Sequence, residues 1–413
     1  MRVQPLRLAA AATAFTQLVT SASAAIVTDK NSTWMATSIM SRSQGIMTGN
    51  GGSSELLQAG VTQKAFNALI GQYEDDDITP DIRAYIQRSA ASVAPFVLNA
   101  TKNALSYPLD RLSNGDAFLE LALDDEDVSS AMSRTFTAAA DALRHSIDLN
   151  RRNSEGGLWY FTYPQWSYLD GMYSLAPFYT VYATEAPSSH HFANTTSALD
   201  DMLYQVELLW NHTRNGTSGL LAHGYDASKT ASWADPATGA SPHVWGRSLG
   251  WYTMALVDTL PLLTDPDQCK YRDRLLEMFQ DLAGAVVNAA DPQTGGWWQV
   301  LDQPGREGNY IESSGSAMFA YALLKGARLG YLEGAQASSA LTSATRAHAY
   351  LTKTFVVHEG NGTAGYNGTV AVCSLNSTAS YDYYVGQPIL YNSVLGSAAY
   401  IFTSLEVERL GAK

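Results

Sequence analysis

The chain has 413 residues, 46% of them hydrophobic, a formal net charge of −13 and two cysteines. So acidic a balance argues against nucleic acid and anionic membrane as partners, because both need clustered Lys and Arg. Two cysteines exclude a disulfide scaffold, and the apolar share can fill one large core without a Pro/Ser linker to divide it.

Met1, Arg2 and Arg7 flank an apolar run from Leu8 to Val19 that is too short to span a bilayer. Followed by Ala22-Ser23-Ala24, it reads as a signal peptide over residues 1–24. The expected product is a secreted, soluble chain of one domain over 25–413, since no later stretch is long and apolar enough to span a membrane. Asn31, Asn99, Asn194, Asn211, Asn215, Asn361, Asn367 and Asn376 each head an Asn-X-Ser/Thr sequon, which agrees with N-glycans. Cys269 and Cys373 read equally well as one bridge or two buried thiols.

Helical patterns cover Leu56–Tyr73 and Ile82–Leu98, and from residue 130 two kinds of helix alternate. The amphipathic kind carries Met132, Phe136, Leu143 and Ile147, then Leu203, Val206 and Trp210, then Leu275, Met278, Leu282 and Val286. The other kind, at 169–184, 248–262, 313–328 and 389–405, is apolar nearly all round and rich in Ala, Gly and Ser. A helix with no polar face must be buried. Gly157, Gly219, Gly296 and Gly365 precede the inner helices at intervals of 62, 77 and 69 residues. This imperfect repeat of an outer-inner hairpin predicts an all-α toroid of about six hairpins. Loops feeding the inner helices then gather on one face, where Trp159, Trp166, Trp233, Trp245, Trp251, Trp297 and Trp298 fall. Flat aromatic faces suit the apolar faces of sugar rings.

Asp170 opens one inner helix among Tyr168, Leu169, Met172 and Tyr173. A carboxyl so surrounded is either a helix cap or an acid suited to proton transfer. His190-His191 reads as a surface turn.

Several ordered motifs carry a resemblance. They are Ser154-Glu155-Gly156-Gly157 through Leu169-Asp170-Gly171-Met172-Tyr173, His223-Gly224-Tyr225-Asp226, Trp233-Ala234-Asp235-Pro236, Trp245-Gly246-Arg247 to Gly250-Trp251-Tyr252, and Gly308-Asn309-Tyr310-Ile311-Glu312-Ser313-Ser314-Gly315. From about Tyr107 to the C-terminus the chain resembles the unsaturated rhamnogalacturonyl hydrolases of glycoside hydrolase family 105. The resemblance implies an (α/α)6 barrel and an enzyme that hydrates the C4=C5 vinyl ether of a terminal unsaturated galacturonyl residue. It makes Asp170 the proton donor and base, and His223, Trp245 and Arg247 residues of the sugar cavity, with Tyr168, Tyr173 and Trp166 around them. Arg247 then meets the substrate carboxylate bidentately, or else pairs with a structural acid; His223 is otherwise a structural histidine. Asp110, in Leu109-Asp110-Arg111-Leu112-Ser113-Asn114, matches the family's second acid or caps a loop. Ser248-Leu249 depart from the family pattern. An unsaturated glucuronyl hydrolase and an inactive sugar-binding toroid are the alternative readings. A monomer acting on an unsaturated oligosaccharide is expected, with no cofactor and no metal site, as neither HExxH nor paired CxxC occurs.

Overall fold

The computed structural model describes residues 30–50, 52, 54–123, 128–162, 166–185 and 195–411. The expected leader at 1–24, Asn194 and His190-His191 lie outside the described residues.

Outer and inner helices alternate along the chain. The outer set is α1 (Asn31–Ser41), α3 (Thr79–Val97), α6 (Ser130–Asp148), α8 (Thr195–Thr213), α10 (Cys269–Asn288) and α12 (Gly334–Phe355). The inner set is α2 (Glu55–Ile70), α5 (Gly115–Leu123) with the 3-10 turn Leu109–Asn114 before it, α7 (Asp170–Glu185), α9 (Gly246–Thr259), α11 (Ser313–Arg328) and α14 (Val394–Gly411). Two short helices, α4 (Ala100–Ser106) and α13 (Tyr381–Val385), lie in connections. Each inner helix packs on the next, from α2 through the turn at Leu109–Asn114, α7, α9 and α11 to α14, which returns to α2. The result is the (α/α)6 toroid.

The split follows from composition. On α6 only the stripe through Phe136, Ala140, Leu143 and Ile147 is buried, and Ser129 caps its start by accepting from Met132 N. On α9 every residue but Asp258 is buried. Small residues let these inner helices meet closely: a Cβ on Gly315 of α11 would come within 3.0 Å of the Gly246 carbonyl carbon. The ring closes where Ser32 N and Oγ, and Tyr73 Oη, donate to Glu408 of α14.

The glycine repeat has a local cause. Asn153, Asn215 and Asp291 each accept backbone N–H groups two to four residues on, and Gly156, Gly219 and Gly295 take φ of 83°, 74° and 78°. Each loop is thus an Asx turn closed by a left-handed glycine, which a side chain would strain. The predicted helix at 389–405 starts late, at Val394. Before it Asn392 is left-handed (φ 58°) and exchanges hydrogen bonds with Tyr366, so residues 389–393 are committed to the neighbouring loop.

Candidate active site

The short strand β1 (Trp166–Tyr168) pairs antiparallel with β2 (Gly224–Asp226), and Leu169 N donates to the His223 carbonyl. The chain then turns directly into α7. Asp170, its first residue, is thereby fixed beside His223 at the mouth of the ring. The distal pair β3 (Val356–His358) and β4 (Ala364–Tyr366) braces the ring near α1 and takes no part in this site.

A cavity of 90 Å³ opens among the first turns of several inner helices. Asp110, Asp170, Tyr160, Tyr168, Trp245 and Trp251 line it, closed on the other side by Val372, Cys373 and Ser374. Two carboxyl groups therefore share one small, aromatic-walled space. Ser248 Oγ, reaching across from α9, donates to Asp170 Oδ2. His223 Nε2 lies 3.2 Å from the same oxygen, off the line of a hydrogen bond, while its Nδ1 shares a 2.8 Å bond with the Tyr384 hydroxyl. His223 is fully buried behind Asp170 and does not reach the cavity wall.

Asp110 accepts from Tyr160 Oη at 2.8 Å, and its Oδ1 is buried with no partner among the described residues. Burial pushes its carboxyl up to about 7, against the pull of the Tyr160 hydroxyl; the charge of Asp170 adds to the rise and Arg111 opposes it. Arg111 is itself wholly buried, bonded to Ser146, Asn150 and the carbonyls of Tyr107 and Pro108. Burial lowers it to about 9. Burial also lifts the Cys373 thiol to about 12, and Cys269 and Cys373 are free thiols, which resolves the bridge in favour of two separate groups.

Of the two roles expected for Arg247, the contacts in this structure are those of the pairing with a structural acid. Its Nη1 donates to the Val370 carbonyl at 2.6 Å and its Nη2 to the Ala371 carbonyl at 2.8 Å, with Glu312 Oε1 3.9 Å away. Glu312 Oε1 in turn accepts from Val370 N at 3.0 Å, and its Oε2 from Gly315 N at 2.6 Å, capping α11. The ion pair thus holds the 370–371 backbone against the cavity, and the guanidinium touches the space with its flank. Trp245 stacks over that guanidinium at 4.9 Å and anchors its Nε1 on Gln299.

Tyr168 lines the cavity and stacks on Tyr160 with centroids 4.5 Å apart. Two further expected wall residues lie elsewhere. Tyr173, one helical turn below Asp170, faces the core against Trp251 at 4.5 Å, and Trp166 packs on Trp233 at 5.1 Å. Of the seven loop tryptophans only Trp245 and Trp251 reach the wall; Trp233 and Trp297 instead tie down the Leu375 and Val286 carbonyls. Tyr160 and Phe161 line the space without having been singled out from the sequence. The Gly-aromatic loop at 156–161 was their only signal.

The model of Glycosyl Hydrolase Family 88 matches residues 32–411. Protein Atu3128 of Agrobacterium fabrum is 42% identical over 185 residues, covering 43% of this chain and 77% of that protein. A glycoside hydrolase from family 105 of C. acetobutylicum aligns with TM-score 0.77 and 31% identity, over 92% of this chain and all of that one. The unsaturated glucuronyl hydrolase of Bacillus sp. GL1 shares the fold at TM-score 0.60 and 13% identity, over 92% and 95% of the two chains. The chain belongs to the family 88 glycoside hydrolases and, among their solved members, groups with family 105.

Proposed function

We propose that the protein removes a terminal 4,5-unsaturated galacturonyl residue from rhamnogalacturonan fragments by hydrating the vinyl ether. The observation that carries this is Asp170, held at a helix start by Ser248, beside His223, and facing a small aromatic cavity. In its acid form Asp170 gives a proton to C4, and water adds at C5 as the resulting carboxylate takes the proton that water loses. The hemiketal so formed opens and frees the sugar beyond. One carboxyl serves both halves, so no fixed separation from a second carboxyl is required. Asp110 supports the step as a buried acid that donates a hydrogen bond to the sugar when protonated.

Elimination by a lyase makes C4 trigonal, so galacturonyl and glucuronyl precursors leave the same unsaturated ring. Discrimination falls to the leaving sugar at the rim. There Val372 is 46% exposed, on the segment whose Val370 bridges to the exposed Ile389, an apolar edge suited to the methyl group of rhamnose. Secretion with N-glycans completes the reading: Asn99, Asn211, Asn215, Asn361, Asn367 and Asn376 are all exposed.

Asp170→Asn is the test. On unsaturated rhamnogalacturonan disaccharide, hydration is followed as loss of ultraviolet absorbance of the conjugated double bond. The variant should fold and lose turnover, because an amide has no proton to give; near-wild-type rates would refute the role. Equal turnover of a disaccharide ending in glucose would instead favour the broader unsaturated glucuronyl reading.

A further inference from the structure

Asp170 is approached from every side by groups that titrate or carry charge. Asp110 faces it from the turn at Leu109–Asn114, His223 from the loop before β2, Cys373 from the closing segment, Tyr384 from α13 and Arg247 from α9. None of these donates a well-aligned hydrogen bond to it. Among the described residues the one donor is Ser248, from the first turn of α9 to Oδ2. Ser248 is wholly buried, and its alternative acceptor, the His223 carbonyl, is 3.3 Å away. A hydroxyl has one proton to donate. Given to Oδ2, it makes that oxygen an acceptor and leaves Oδ1, which has no partner among the described residues, as the oxygen that can carry hydrogen into the cavity.

We infer that Ser248 is a positioning residue: its hydroxyl donates to Oδ2 of Asp170 and confines the transferable proton to Oδ1. The inference rests on Asp170 being the proton donor. It adds that the donor's two oxygens have unlike tasks, one anchored and one reactive, and that a residue out of reach of the sugar assigns them. A donor to the carboxylate also eases release of the proton to C4, since it stabilises the form left behind.

The test is the pH profile of kcat for wild type, Ser248→Ala, Ser248→Thr and Asp170→Asn on the same unsaturated disaccharide. Without the donor, Asp170 holds its proton more tightly. The high-pH limb of Ser248→Ala should therefore move alkaline by about one pH unit, the effect of losing one charge-assisted hydrogen bond. Its kcat should fall roughly tenfold with KM little changed, because substrate contacts are intact. Ser248→Thr, which keeps the hydroxyl, should restore the limb, and Ser248→Cys, a weaker donor of similar size, should fall between and serves if the alanine variant does not fold. A Ser248→Ala or Ser248→Cys profile superimposable on wild type, or a threonine variant behaving like alanine, overturns the assignment while leaving Asp170 as catalyst. An active Asp170→Asn overturns both.

Discussion

Replacing Arg247 tests whether the guanidinium is a strut or a substrate clamp. In Arg247→Leu the carbonyls of Val370 and Ala371 lose donors at 2.6 and 2.8 Å, each bond being worth about 1.5–3 kcal/mol when the donor is charged. Glu312, 1% exposed, is then a buried carboxylate without its cation. Breaking a buried pair from one side costs about 3–5 kcal/mol, a figure that already contains most of the lost bonds, so this is the expected total. Glu312→Gln leaves the complementary charge stranded and should also destabilise, although its amide oxygen can still accept from Val370 N. In the double variant neither charge remains. Its loss should therefore be smaller than the sum of the single losses by about 1–3 kcal/mol. Urea unfolding of the four proteins measures this coupling directly. A coupling below about 0.5 kcal/mol would show that the two groups do not sense each other at 3.9 Å, and the strut would have to be abandoned. A complementary outcome separates the two roles: Arg247→Lys, still cationic but unable to span two carbonyls, should lose stability as well as turnover, whereas a substrate clamp would lose binding alone.

Other expectations follow from burial and close packing. The raised value of about 7 at Asp110 lies above its unfolded value, so the stability it contributes is present below pH about 4 and lost as pH rises through about 7. Asp110→Asn should gain on wild type by at most about 4 kcal/mol at pH 8 and draw level near pH 4; a thermal-midpoint difference independent of pH would refute the burial argument. His348 is opposite in sign. Burial lowers it to about 4, so its stabilising share is present above pH about 6.5 and lost as pH falls through about 4, by at most about 3 kcal/mol. His348→Gln should flatten that acid limb in urea titrations. Gly315→Ala drives a methyl to 3.0 Å from the Gly246 backbone; parting α9 from α11 should cost about 1–3 kcal/mol, read as a lower unfolding midpoint, and an unchanged midpoint would mean the helices give way freely.

The inner helices were legible because burial on all sides leaves no polar stripe: residues 313–328 match α11 from end to end. The hairpin repeat was legible because a left-handed glycine closes three of its loops, though at Gly156 and Gly295 it is the first glycine of the pair that turns. Asp170 stood out by position, at a helix start amid aromatics. Direction was not legible. Arg247 finds its acceptors 123 and 124 residues away, and no local pattern tells a guanidinium whether to face a ligand or a loop carbonyl. The tryptophans misled for a like reason: an indole serves core and cavity equally well, and only the turn of the backbone at Trp233 and Trp297 directs their N–H groups inward to carbonyls. Asp110 was found through the family pattern, but its elevated titration arises from burial within the ring, with the charge of Asp170 adding to it and the Tyr160 hydroxyl opposing, which chain order does not reveal.

The bond from Ser32 and Tyr73 to Glu408 joins the first helix to the last, so the circle has no preferred beginning. Each hairpin is gripped by two neighbours, including those farthest apart along the backbone, and none can peel away like the end unit of an open stack. The architecture is therefore indifferent to where the polypeptide is cut, provided the cut falls in an outward loop and a short tether spans α14 to α1. Rearranged versions with fresh ends should settle into the same wheel and keep the hub where Asp170 sits.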